Sequence, residues 1–135
     1  SLPFENNRFD VVLNVESSHC YGGVEKFIYE VGRVLKRGGV FLWCDFRTKS
    51  SMGDLFDIFL NSGFIIEKEK DITKNIMSAL DLLTPSRKKQ INAHVPKIIK
   101  RVFESYAGIT GGEVNNAFVS GNLIYKSAAL KIAKH

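Results

Sequence analysis

Long hydrophobic runs are missing from this sequence. Nowhere do about 18 uncharged apolar residues follow one another, so no segment reads as a membrane-spanning helix. Cysteine is scarce: Cys20 and Cys44 are the only two, too few for a disulfide framework. No Cys/His cluster has zinc spacing, and no metal site is expected. Reduced thiols in a cytoplasmic setting are the corresponding expectation. The first residues, Ser1-Leu2-Pro3-Phe4-Glu5-Asn6-Asn7, lack the basic start and apolar stretch of a signal peptide. They also lack an initiator Met, and the expectation is a chain that begins inside a longer one. Strong charge imbalance is absent too. A net charge of +5 over 135 residues is mild and does not by itself indicate a nucleic-acid partner. There is no internal repeat and no low-complexity tract. What remains is an ordinary globular balance, 44% hydrophobic and 24% charged, in one domain's length of chain.

The apolar pattern alternates between two periods. Phe9-Asp10-Val11-Val12-Leu13-Asn14-Val15 is a short β-branched run without helical period and reads as a buried strand. A polar loop ending in Gly22-Gly23 follows. From Val24 the period becomes helical: Val24, Phe27, Ile28, Val31, Val34 and Leu35 share a face. Lys36-Arg37 in the last turn and Gly38-Gly39 beyond it read as the stop. Val40-Phe41-Leu42-Trp43-Cys44 is a second apolar strand, ending at Asp45. Strand, helix and strand with short connections make a βαβ unit with parallel neighbours.

Met52, Leu55, Phe56, Phe59 and Leu60 make one face of a further helix, ended by Asn61-Ser62-Gly63. Phe64 to Lys70 is a third strand with a charged, exposed second half. Residues 72–106 read as helical, with a break at Thr84-Pro85-Ser86 and a kink or restart at Pro96. Val95, Ile98, Ile99, Val102, Phe103 and Tyr106 form an apolar stripe there. Residues 107–116 read as a glycine-containing loop. Residues 117–133 read as a strand hairpin or bent strand pair, with Ser120-Gly121-Asn122 as the bend.

Two stretches carry a family resemblance. Leu2-Pro3-Phe4-Glu5-Asn6-Asn7-Arg8-Phe9-Asp10-Val11-Val12 resembles the "LPF-x4-FD-V-V" segment that opens the fourth strand of class I S-adenosylmethionine-dependent methyltransferases. Residues 25–39, with Arg33-Val34-Leu35-Lys36-Arg37-Gly38-Gly39, resemble that family's "E-x-x-R-V-L-[KR]-x-G-G" helix leading into the fifth strand. The loop Asn14-Val15-Glu16-Ser17-Ser18-His19-Cys20-Tyr21 is similar to that of small-molecule methyltransferases acting on fatty acids and phthiotriolone-type lipids. The ending Gly121-Asn122-Leu123-Ile124-Tyr125 resembles the same group's "SG-x-L-x-Y" segment. The glycine-rich cofactor loop of the family has no counterpart here: Gly111-Gly112 follows a helical stretch and lacks the fingerprint's spacing.

The resemblance implies an α/β fold: the C-terminal half of a Rossmann-like methyltransferase sheet, in a single partial domain spanning residues 1–135. Parallel strands with flanking helices are expected, with an antiparallel terminal strand and a helical insertion at about 72–108 before it. The strand at residues 11–15 would keep an unpaired edge. The cofactor implied is S-adenosyl-L-methionine. Leu2, by its place before the fourth strand, would lie near the adenine. Val15, at that strand's end, is a further cofactor-binding candidate, and Glu16 would face the cofactor's methionine end or support the loop.

Methyl transfer from a sulfonium is an in-line displacement, and the enzyme mainly positions the donor and acceptor. A hydroxyl acceptor gains from a general base. His19 is the candidate, in the loop leaving a parallel strand where α/β sheets place their crevice. The competing reading makes it a surface histidine that caps the next helix. Asp45, ending the neighbouring strand, could orient that imidazole, bind the substrate hydroxyl, or cap the helix after it. Cys20 is not read as a nucleophile, and Phe41 and Trp43 read as sheet core.

Arg87, Lys88, Lys89, Lys97, Lys100 and Arg101 give six positive charges with no acid between Thr84 and Phe103. The favoured reading is a helical lid over the acceptor pocket with a solvated basic face. An anionic membrane surface is the alternative. The expected activity is methylation of a small, lipophilic hydroxylated acceptor by a longer enzyme, with a homodimer as a further possibility. The rival is a non-catalytic binding module that pairs with another methyltransferase chain or a lipid surface.

Overall fold

The computed structural model describes residues 1–97 and 111–133. Contacts divide the chain into two compact units, residues 1–71 with the C-terminal strand, and residues 72–124.

The first unit is built on a four-stranded sheet. Strand β1 (Phe9–Val15), helix α1 (Val24–Val34), strand β2 (Leu35–Thr48), helix α2 (Lys49–Asn61) and strand β3 (Phe64–Asp71) follow in sequence, and strand β4 (Leu123–Ile132) completes the sheet. The order across it is β1-β2-β4-β3. Strands β1 and β2 are parallel, with Val12 opposite Phe41 and Val15 opposite Cys44. Strands β3 and β4 are antiparallel, with Phe64 opposite Ile132. The last strand thus enters between two earlier ones, and the expected α/β methyltransferase sheet with an antiparallel terminal strand is found.

One face of the sheet carries the core. Ile28 and Val31 of α1, Phe41 and Trp43 of β2, Met52, Leu55 and Phe59 of α2, and Leu130 of β4 are all buried. The aromatic rings meet edge to face, Phe59 at 6.1 Å from Phe41 and 5.6 Å from Trp43 between centroids, a geometry that the ring quadrupoles favour. The opposite face is open. Val11, Leu13 and Val15 are 52%, 68% and 52% exposed, so the expectation of a buried β1 is corrected. Alternation places these three residues away from α1, and β1 is the terminal strand of the sheet among the described residues.

The glycine pair inside β2 does something other than stop the helix. α1 ends at Val34 with Leu35 already extended, and Lys36 leaves the helix to bind the Asp10 carboxylate at 2.8 Å. Register jumps from Phe9↔Leu35 to Val11↔Val40, so residues 36–39 form a bulge. Gly38 sits at φ +79°, and a Cβ on Gly39 would lie 2.9 Å from the Lys36 carbonyl oxygen. The first glycine supplies a left-handed backbone and the second supplies room.

The two resemblance-bearing stretches are physically joined. Arg33 donates from Nε and Nη2 to Glu30, from Nη1 to the carbonyl of Phe4 and to Asn6, and from Nη2 to the carbonyl of Leu2. Glu30 in turn accepts the Leu2 N–H at 2.7 Å. The Glu-x-x-Arg pair on α1 therefore straps down the segment that leads into β1. The Arg33 guanidinium, then the Leu2 N–H, hold the Glu30 carboxyl at about 2, against an ordinary 4.5. A carboxylate depressed in the folded state stabilises above its unfolded pKa, and that contribution is lost as pH falls through the folded one. The melting temperature of the full-length protein should therefore fall between about pH 4.5 and pH 2, and Glu30→Gln should flatten that part of the curve. A Glu30→Gln melting curve that tracks the wild-type slope over this range would show that the strap contributes nothing.

The second unit contains helix α3 (Thr73–His94) and helix α4 (Glu113–Val119). α3 runs through Pro85 without the expected break. Thr84 bonds back to the Leu80 carbonyl and Ser86 to the Leu83 carbonyl, side-chain back-bonds on either side of the proline. The helix stops at His94, before the extended Val95 that precedes Pro96. Residues 113–119 are helical, so the end of the loop expected at 107–116 and the start of the strand pair expected at 117–133 are corrected, while residues 107–110 lie outside the described residues. Three apolar residues at 117–119 do not distinguish helix from strand by period. Asn115 and Phe118 are the buried residues of this helix. Gly121 at φ +76° turns the chain into β4. The stripe of Ile98, Ile99, Val102, Phe103 and Tyr106, with Lys100 and Arg101, lies outside the described residues. Among the described residues, no helix is long and apolar enough to cross a membrane.

Candidate active site

Because β1 and β2 are parallel and paired up to Val15 and Cys44, the chain leaves both strands at the same end of the sheet. The residues after β1 therefore meet the last residues of β2. A single 3₁₀ turn, Ser18–Cys20, folds the loop back over Asp45.

Asp45 is fully buried, and three donors reach its carboxylate. Its Oδ2 accepts the Ser18 hydroxyl at 2.6 Å and the His19 N–H at 2.9 Å. Its Oδ1 accepts the Phe46 N–H at 2.9 Å and lies 2.8 Å from His19 Nδ1. A buried carboxylate needs such partners to offset its lost hydration. The His19 side chain stays 29% exposed, and its ring lies against Phe46 at 4.5 Å between centroids. Bond and ring contact together fix the imidazole plane.

These positions bear on the capping roles left open by sequence. α2 is capped by Thr48, whose hydroxyl accepts the Ser51 N–H, not by Asp45. α1 starts at Gly23 with no side-chain cap, so His19 does not cap it. Asp45 has no exposed surface with which to meet a substrate hydroxyl.

Glu16 follows β1 at φ +48°, a left-handed conformation that costs a side-chain-bearing residue free energy. It is held there by its N–H, which donates to the Cys44 carbonyl at 2.9 Å. Burial, then a hydrogen bond to Glu16, pushes the Tyr125 phenol far above its ordinary value of 10. Burial likewise raises the Cys44 thiol, which leaves it a poor nucleophile. Cys20 is exposed and unpaired with any other cysteine.

Leu2 lies elsewhere along β1. With Phe4, Val11, Asn14, Tyr21 and Phe27 it lines an open groove of about 320 Å³ that includes neither Val15 nor Glu16. Asn14 is buried there. Its amide donates to Ser17 and Tyr21, while its Oδ1 has no partner. The structure therefore brings His19, Asp45 and the backbone of Glu16 to one end of the sheet and leaves Leu2 on a separate wall.

Ser18 and Tyr125 were missed in sequence. Nothing in a polar loop marks one serine as fully buried. The indirect clue was Trp43: a core tryptophan needs an acceptor for its indole N–H, and that acceptor is Ser18 Oγ at 2.9 Å.

The comparisons agree with this architecture. Residues 1–43 match the family described as "Methyltransferase domain". The chain is 34% identical over 110 residues to a probable phthiotriol/phenolphthiotriol dimycocerosates methyltransferase 2 of Mycobacterium ulcerans, covering 82% of this chain and 43% of that protein. It is 28% identical over 105 residues to a fatty-acid O-methyltransferase of Mycolicibacterium smegmatis, covering 78% and 38%. In fold it matches a putative sarcosine dimethylglycine methyltransferase from Galdieria sulphuraria with a TM-score of 0.83 at 14% identity, over 98% of this chain and 56% of that one. The chain spans less than half the length of these two curated relatives. The resemblance to S-adenosylmethionine-dependent methyltransferases holds in both sequence and fold.

Proposed function

We propose that the protein transfers a methyl group from S-adenosylmethionine to a hydroxyl of a small, lipophilic acceptor, with His19 as general base and Asp45 as the group that orients it. The observation that carries this reading is the 2.8 Å contact between His19 Nδ1 and a fully buried Asp45. Its consequence is a partly exposed imidazole whose Nε2 has no hydrogen-bond partner among the described residues, at the strand ends where α/β sheets bind their ligands. The cofactor, when bound, supplies an electrophilic methyl group on a sulfonium.

The residues present suit part of such a ligand. Glu16 offers a carboxylate beside the strand end, suited to a cationic group, and Val15 an exposed apolar wall. Leu2 offers another apolar wall along β1. His19 Nε2 would take the acceptor's proton as the oxygen attacks, and Asp45 would stabilise the resulting imidazolium. The names of the relatives support a lipid-like acceptor.

The test is an acceptor panel. The full-length protein with methyl-labelled S-adenosylmethionine should label a long-chain alcohol on oxygen. It should leave a long-chain amine and a short alcohol nearly unlabelled. Label found only on nitrogen or carbon, or preference for the short alcohol, would contradict the proposal.

A further inference from the structure

We propose that Ser18 is a positioning residue that commits the His19–Asp45 pair to a single proton arrangement, with Trp43 fixing the direction in which Ser18 donates. The inference rests on the reading of His19 as the base, and it concerns how that base is held ready.

The argument is an inventory of donors. A serine hydroxyl carries one proton and can accept two. Ser18 is fully buried, and three groups besides its own backbone surround its Oγ. The Trp43 indole N–H reaches it at 2.9 Å and Arg47 Nη2 at 3.3 Å. Both are donors only, so Ser18 must accept from them. Its single proton then has one destination, Asp45 Oδ2 at 2.6 Å.

The carboxylate inherits this constraint. The Ser18 hydroxyl and the backbone N–H groups of His19 and Phe46 all donate to it. With three donors already aimed at its two oxygens, Asp45 is left with only an acceptor site for the imidazole. The proton between them therefore belongs to His19 Nδ1, and the lone pair belongs to Nε2. This tautomer follows from the network and not from a located hydrogen.

Removing Ser18's hydroxyl would loosen the arrangement. A buried carboxylate short of one donor is poorly solvated and gains from taking up a proton. A proton placed on Oδ1 would point at His19 Nδ1 and force the hydrogen of the neutral ring onto Nε2. That tautomer has no lone pair where the acceptor's proton must go.

The experiment combines ring-¹⁵N spectroscopy of His19 in the full-length protein with steady-state kinetics on Ser18→Ala, Trp43→Phe and His19→Ala. The wild type should show one neutral tautomer, protonated at Nδ1. Ser18→Ala should show a mixture, with kcat lowered about 10- to 100-fold and KM within about twofold, as for loss of a hydrogen bond to a charged group. Trp43→Phe keeps an aromatic side chain but removes one of the two donors to Ser18 Oγ, and it should shift the tautomer in the same direction by less. It carries the test if Ser18→Ala does not fold. A single unchanged Nδ1–H tautomer with unchanged kcat in whichever variants fold would overturn the inference. A shifted tautomer with full turnover in both Ser18→Ala and His19→Ala would support the positioning and sink the base reading instead.

Discussion

Asp45→Asn should lower turnover by about 10²- to 10⁴-fold while KM changes little, the loss expected when a positioned base is disabled. The substitution is nearly isosteric, and its effect comes from the two protons it adds. If the new amide nitrogen stands at Oδ1, it opposes the Phe46 N–H and forces His19 Nδ1 to accept, which moves the ring proton to Nε2. If it stands at Oδ2, it opposes the His19 backbone N–H, and meets a Ser18 hydroxyl already taken up by Trp43 and Arg47. Neither rotamer satisfies every donor. A stability loss of about 1–3 kcal/mol should accompany the kinetic effect, the cost of one unsatisfied buried group. Thermal melting would separate this from unfolding. An Asp45→Asn enzyme with near-normal kcat would show that the imidazole is oriented by other means.

Much of the frame was legible because period and punctuation agreed. β1 and β3 fall where short β-branched or apolar runs stand between polar loops, and α1 begins at Val24 where the helical period begins. The pairing of His19 with Asp45 was also within reach, since a parallel βαβ unit brings both strand ends to one side of the sheet. Features that depend on partners distant in sequence were not. Val11, Leu13 and Val15 look like core residues locally. Their exposure follows from the open sheet face on which alternation places them, on the terminal strand among the described residues. Gly38 and Gly39 read as a helix stop, yet Gly39 is required by its approach to the Lys36 and Asp10 carbonyl oxygens. Pro85 read as a break, and α3 runs through it. Ser18 and Tyr125 gained their importance only when the fold buried one against Asp45 and Trp43 and set the other beside Glu16 and Cys44. In each case local sequence states a preference, and the tertiary context overrides it.

His19→Ala is the second large effect, and it bears most directly on the claim that this imidazole deprotonates the acceptor. The measurement is the single-turnover rate of methyl transfer to the long-chain hydroxyl acceptor, wild type against His19→Ala, with and without added imidazole. Single turnover isolates the chemical step from product release. The account predicts a rate lowered about 10²- to 10⁴-fold, cofactor affinity within about twofold, and partial recovery with imidazole filling the space beside Asp45 and Phe46. A His19→Ala rate within about twofold of wild type would contradict it.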